Sequence, residues 1–167
     1  AVDSYGDKAN QTVWVVKKNK LQLVAKTDQF EIARIYKFIT LILNMKPEEH
    51  EFKVMGLSAY SKKKFILDVY KKVFKKIQRF DGIKIVHNKR PKNLYLYLKE
   101  ATKDFRFDNI AGGLQFFVEQ LMKELLIRIY KKYKIKNFYF SGGVSMNVKM
   151  YNNLGKLSFV NFLYSPP

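Results

Sequence analysis

Three short stretches carry side chains whose types and spacing could do chemistry. Asp3-Ser4-Tyr5-Gly6-Asp7 sets two carboxylates around a glycine directly after an apolar pair. Such a turn could hold a metal or order phosphate-bound water, and the glycine lets a backbone approach. The same residues also make a plain turn. His50-Glu51-Phe52-Lys53-Val54-Met55-Gly56 gathers an imidazole, a carboxylate and an ammonium within four residues. Lys53 could meet an anionic acyl or phosphate group while Glu51 orients it; a solvated loop with a weak local ion pair has the same composition. Ser141-Gly142-Gly143, followed by Val144 and Asn147, stands between an apolar run and a helical pattern. It offers amides and a positive helix end to a phosphate or ribose, but lacks the Lys-Ser/Thr of a P-loop and the third glycine of a dinucleotide fingerprint. Neither histidine makes a metal site by itself: His50 has no second His at ligand spacing, and His87 has no partner in the pattern.

The elements around these stretches must hold them. Thr12–Val16 and Leu21–Ala25 are apolar, β-branched runs joined by Lys17-Lys18-Asn19-Lys20, a four-residue hairpin turn; with Ala1-Val2 they predict three short antiparallel strands. Ile32, Ile35, Tyr36, Ile39 and Leu43 form the stripe of a one-sided helix, closed by Pro47. Pro47 to Ser61 has no clean period and reads as an ordered loop. A second amphipathic helix is predicted from the stripe Ile66, Val69, Tyr70, Val73, Ile77 and Phe80, ended by Asp81-Gly82, with a short strand over Ile83–Val86. Leu94–Leu98 suits strand or helix. Asp108 is the expected N-cap of the longest helix, to about Tyr133, and Gly112-Gly113 near its start implies close packing, because each glycine costs about 1 kcal/mol of helix propensity. Phe138–Phe140 reads as a buried strand, Val144–Leu154 as a helix and Phe159–Leu163 as a last strand. A meander followed by strand–helix–strand predicts an α/β fold, a mixed sheet with flanking helices.

Composition sets the bounds. The chain has 167 residues, 47% of them hydrophobic, enough for one core, and no cysteine, which excludes disulfides and thiolate metal sites and fits a reducing compartment. No apolar run reaches the roughly 18 residues of a membrane span, and a cytoplasmic location is expected. The net charge of +18 raises nucleic acid as a partner. Lysines outnumber arginines about five to one and are spread along polar helix faces, whereas base and bidentate phosphate recognition favour arginine, so nucleic acid is not the expected partner. The chain starts at Ala1 inside a motif and stops at Ser165-Pro166-Pro167, as a segment of a longer protein would.

Together and in this order, AVDSYGD, HEFKVMGLSAY, DNIAGGLQFFVEQLMKEL and FSGGVSMN closely resemble the NodU/CmcH-type O-carbamoyltransferases over nearly the whole chain. The matching positions are Asp3 to Asp7, Glu51 to Ser58, Ala111 to Gln115 and Ser141 to Asn147; Ser4 departs from a glycine of the family pattern and Ser58 from an alanine. The resemblance implies an actin/hexokinase-like (ribonuclease H-like) catalytic domain. This chain would be most of its second lobe, with a helical insertion at about residues 30–133. It also implies the chemistry: carbamoyl phosphate and ATP yield carbamoyl-adenylate, whose carbamoyl group passes to a hydroxyl of a sugar-, antibiotic- or nodulation-factor-like acceptor.

Residue by residue, the resemblance implies that Asp3 helps hold a divalent metal, expected to be iron, and that Gly6 and Asp7 face the phosphate. Ser141, Gly142, Gly143, Val144 and Asn147 would hold the nucleotide, the two glycines bare so that adenylate can lie against them. His50, Glu51, Lys53 and Gly56 would form a substrate loop, with Lys53 stabilising the leaving adenylate. The family's paired metal-binding histidines lie upstream of Asp3 and a further acidic ligand beyond the C-terminus, and the YrdC-like domain that makes the adenylate is also outside the chain. The isolated segment is therefore expected to be inactive. The alternatives are a threonylcarbamoyl transferase acting on tRNA, a small-molecule kinase of the same fold, and a non-catalytic nucleotide-binding lobe.

Overall fold

The computed structural model describes residues 1–3 and 8–165. In chain order the elements are β1 (Gln11–Lys17), β2 (Lys20–Thr27), α1 (Ile32–Ile42), α2 (Glu51–Leu57), α3 (Lys63–Val69), β3 (Gln78–Asp81), β4 (Lys84–His87), α4 (Leu94–Thr102), α5 (Phe107–Tyr133), β5 (Asn137–Tyr139), α6 (Val148–Gly155) and β6 (Phe162–Tyr164). The fold is mixed α/β. The expected single mixed sheet is instead, among the described residues, three two-stranded ladders: β1–β2 and β3–β4 antiparallel, β5–β6 parallel.

Backbone hydrogen bonds of the first three residues join two of these ladders. Val2 bridges Gln11 in antiparallel sense, donates its N–H to the Ser141 carbonyl at 2.9 Å, and accepts from the Val144 N–H at 3.4 Å. Beyond it, the Phe140 N–H donates to the Tyr164 carbonyl at 2.7 Å. The spatial order is thus β2, β1, the Ala1–Asp3 segment, the end of β5, and β6. Segments more than a hundred residues apart in the chain are neighbours here.

The β1–β2 turn is tighter than expected, since Lys17 pairs with Lys20 and only Lys18 and Asn19 lie between, at φ 49° and 59°. Both central residues with positive φ give the turn whose twist matches two antiparallel strands. Gln11, Val13 and Val15 are buried on one face, while Trp14, Val16, Leu21 and Leu23 are exposed on the other. The Gln11 side chain donates to the Ile83 carbonyl at 3.0 Å and accepts from the Ile85 N–H at 2.8 Å, fastening the first hairpin to the second.

Several elements differ from expectation. Pro47–Ser61 is not a loop: His50–Gly56 falls on α2 and its start, because Val54 is the sole fully buried side chain of that helix and one anchor leaves no helical period to read. The second helix ends early. It passes through a wide turn at Tyr70–Phe74, where the Lys75 N–H reaches back to the Tyr70 carbonyl at 2.9 Å, and Phe80 belongs to β3. Asp81-Gly82 is accordingly a hairpin turn, with Gly82 at φ 59° and Asp81 paired to Lys84. Finally, Asp108 is not an N-cap but stands inside the first turn of α5, where the Arg106 guanidinium at 3.2 Å holds its carboxyl below the usual carboxylate range. The undecided Leu94–Leu98 is helical, capped by Asn93, whose side chain accepts from the Leu96 N–H at 3.0 Å.

The 27-residue α5 is the axis of the core, with Phe117 stacked on Phe74 at 5.6 Å between ring centres and Leu114, Val118, Met122 and Leu126 fully buried. Its paired glycines pack against α3 as their cost in propensity implied: a β-carbon on Gly113 would lie 2.6 Å from Val69 Cγ1, and one on Gly112 2.7 Å from Ile66 Cγ1. Gly113→Ala is therefore expected to destabilise by about 1–2 kcal/mol, overlap outweighing the gain in helix propensity. Urea denaturation checks this, and a stabilised variant would contradict the packing.

Candidate active site

One cavity, of about 460 Å³, lies where α1, α2, the Asp3 segment and the Gly143 turn meet. Asp3, Glu51, Gly143, Val144 and Asn147 all line it, so all three chemistry-bearing stretches converge on one place. Tyr36, Phe52, Met55, Val118 and Met146 supply an apolar wall. The rim is acidic: Asp3, Glu48, Glu49 and Glu51 stand against Lys37, which pairs with Glu48, while Glu49 pairs with Lys46 outside.

The two glycines do different things. Gly142 sits at φ 96°, and a β-carbon there would lie 2.3 Å from the Val2 carbonyl oxygen, so its bareness serves the backbone seam. Gly143 lines the cavity, and a β-carbon on it would rest 3.5 Å from Asp3 Oδ1, an ordinary contact. Ser141 contributes its carbonyl to Val2 rather than a side chain to the cavity.

Asn147 is held rather than loose. Its Oδ1 caps α6 by accepting from the Met150 N–H at 2.9 Å and also accepts from Gln115 Nε2 at 3.0 Å, while its Nδ2 donates to Gln115 Oε1 at 2.9 Å. Gln115 further donates to Glu119 at 2.8 Å and accepts from the Tyr36 hydroxyl at 3.1 Å. Burial first, then the charges of Glu119 and Glu51, push the Tyr36 phenol well above its ordinary range, so it stays protonated and donating. The Ala111–Gln115 and Ser141–Asn147 motifs are thus one hydrogen-bonded unit. Ser58, the departure at the end of the second motif, accepts from Lys149 Nζ at 2.9 Å and so ties α2 to α6.

The predicted substrate loop divides. Glu51 faces the cavity and accepts the Glu48 N–H at 2.7 Å; Glu48 itself has φ 71°, a left-handed conformation at the cavity rim. Lys53 is exposed and lies 5.8 Å from the ring of its neighbour Phe52, outside the cavity lining. His50 accepts the Lys46 N–H through Nδ1 at 3.1 Å, a local turn contact, and Gly56 is exposed with open space around it. Gly6 and Asp7 lie outside the described residues. Lys37, Tyr36 and Glu48 were not singled out from the sequence as site residues; Tyr36 was hidden in the inward stripe of α1, and nothing in the pattern marked the other two.

Among the described residues no group of three or more His, Cys, Asp or Glu side chains is placed to hold an ion. Also among the described residues, no helix is long and apolar enough to cross a membrane.

A family model described as the carbamoyltransferase N-terminus matches residues 1–167. The chain belongs to this family. It is 27% identical over 164 residues to the uncharacterized protein MJ1051 of Methanocaldococcus jannaschii, covering 93% of this chain and 31% of the relative. To MJ1058 of the same organism, also uncharacterized, it is 29% identical over 188 aligned positions, covering 99% of this chain and 30% of the relative. The chain therefore spans about a third of the length of the curated relatives it matches.

Proposed function

We propose that this chain forms one lobe of the catalytic domain of an ATP-dependent O-carbamoyltransferase, and that its cavity receives carbamoyl-adenylate. The observation that carries the reading is the convergence of Asp3, Glu51, Gly143 and Asn147, from three distant stretches, on one cavity of a family member. The order of an antiparallel hairpin, a joining segment and a parallel pair supports an actin/hexokinase-like lobe. The apolar wall of Phe52, Met55, Val118 and Met146 suits a purine face. Gly143 leaves room for the ribose-phosphate, and the acidic rim requires the anionic adenylate to arrive with its own counter-cation.

In the transfer, the acceptor hydroxyl oxygen forms a bond to the carbamoyl carbon and the bond from that carbon to the adenylate phosphate oxygen breaks. AMP leaves, and the hydroxyl proton passes to a base, for which the rim supplies carboxylates. The partners are carbamoyl phosphate, a hydroxylated small-molecule acceptor, the other lobe and the YrdC-like domain. No step is routed through iron, since the described residues assemble no set of ligands for it.

The test uses the full-length protein with ATP, carbamoyl phosphate and a pool of hydroxylated small molecules, followed by mass spectrometry. Carbamoyl-phosphate-dependent pyrophosphate release and carbamoylated products are expected. Gly143→Val, which fills the cavity, is expected to lower product formation about tenfold or more. ATP consumption without carbamoyl phosphate, yielding a phosphorylated product, would overturn the reading in favour of a kinase.

A further inference from the structure

Among the described residues, two buried side-chain atoms have no hydrogen-bond partner, and both belong to one cluster: Oε2 of Glu31 and Nδ1 of His87. Glu31 is 3% exposed, and its Oε1 gathers Arg34 Nη1 at 3.2 Å, Arg90 Nη2 at 3.5 Å and His87 Nε2 at 3.8 Å. A buried carboxylate oxygen without a donor is costly, and such an atom calls for a ligand or water to complete it. Glu31 lines a second recess, of about 680 Å³, together with Arg34, Arg90, Lys92, Phe38 and Tyr95.

The recess is electropositive for two independent reasons. Among the described residues three cations line it against one carboxylate. It also lies at the starts of two helices, since Glu31 is the N-cap of α1 and Asn93 the N-cap of α4, and helix N-termini favour anions. Two guanidiniums anchored on a common carboxylate are pre-oriented for phosphate, whose oxygens they match with paired donors. Phe38 and Tyr95, edge to face at 5.7 Å, make an apolar wall.

We propose that this recess binds a small phosphomonoester bearing hydroxyl groups, its phosphate on Arg34 and Arg90 and one hydroxyl donating to Glu31. Glu31 is then both a positioning residue for the guanidiniums and a ligand contact. The recess and the first cavity share α1: Arg34 and Phe38 line the one, Ala33, Tyr36 and Lys37 the other. The proposal does not depend on the carbamoyl-transfer reading.

Calorimetric titration of the full-length protein with glucose 6-phosphate, inorganic phosphate and glucose tests it, at about 0.15 M salt so that diffuse attraction is screened. Glucose 6-phosphate is expected to bind more tightly than inorganic phosphate, and glucose not measurably. Arg90→Gln, at a side chain 61% exposed and so tolerated by the fold, is expected to weaken glucose 6-phosphate about tenfold or more. Lys103→Gln, at an exposed lysine elsewhere, should change nothing. Glu31→Gln is expected to erase the preference for the sugar phosphate. Absence of binding, or equal losses in the Arg90 and Lys103 variants, would overturn the site; a sugar phosphate no tighter than inorganic phosphate would overturn the hydroxyl contact.

Discussion

Gly142→Ala is expected to cost about 3 kcal/mol or more, a large share of the roughly 5–15 kcal/mol that holds an ordinary domain together. Two causes add. The residue sits at φ 96°, where a side chain is strained, and its new β-carbon would lie 2.3 Å from the Val2 oxygen and 2.9 Å from the Val2 carbonyl carbon. Backbone atoms cannot rotate away as a side chain can, so the Ala1–Asp3 segment must move. That movement breaks the Val2–Ser141 hydrogen bond and carries Asp3 from the cavity. Gly143→Ala, one residue on, meets nothing closer than 3.5 Å and is expected to change stability by less than about 1 kcal/mol. Urea denaturation of the two variants separates them, and equal stabilities would show that the seam between the ladders is not as tight as described.

The second large effect is expected at the Asn147–Gln115 pair. Asn147→Ala removes an N-cap, worth about 1 kcal/mol, and leaves the amide of Gln115, 2% exposed, short of two hydrogen bonds, worth about 1–3 kcal/mol more. The sum is about 2–4 kcal/mol. Gln115→Leu is expected to cost a similar amount, because it strips Tyr36, Glu119 and Asn147 of a shared partner at once. Since each change destroys the same contacts, the double variant should be less destabilised than the sum of the singles by about 1 kcal/mol or more. A denaturation cycle that comes out additive would remove the pair from the account. In the full-length protein, loss of this pair is also expected to lower the proposed carbamoyl transfer, since Asn147 fixes the start of α6 beside Gly143 and Val144.

Expectation and structure part company at identifiable places. The helical period found α1 and most of α5 because each buries a continuous stripe against a core. It failed at α2, anchored by Val54 alone, and overran α3, because the wide turn at Tyr70–Phe74 leaves Val73 and Ile77 apolar at nearly helical spacing while the backbone departs. A stripe of apolar residues reports burial, and hairpin β3–β4 buries Ile85 as well as any helix would.

What the sequence determined by itself is the family and three stretches with members that meet at one cavity, because residue types at fixed short spacings survive in the linear order of the chain. It also determined the need for close packing at Gly112-Gly113, since two glycines in a long helix are hard to explain otherwise. Tertiary structure alone decided which members of each stretch face the cavity. It turned Glu51 in and left Lys53 out, because positions two apart on a helix lie about 200° apart around its axis. It gave Gly142 to the backbone seam and Gly143 to the cavity, and it brought Lys37 and Glu48 to the rim. It also placed His87, unassigned from the sequence, 3.8 Å from the buried carboxylate of Glu31, 56 positions earlier in the chain. Contacts of that range depend on how helices and hairpins dock, and docking is fixed by the whole core rather than by any local pattern.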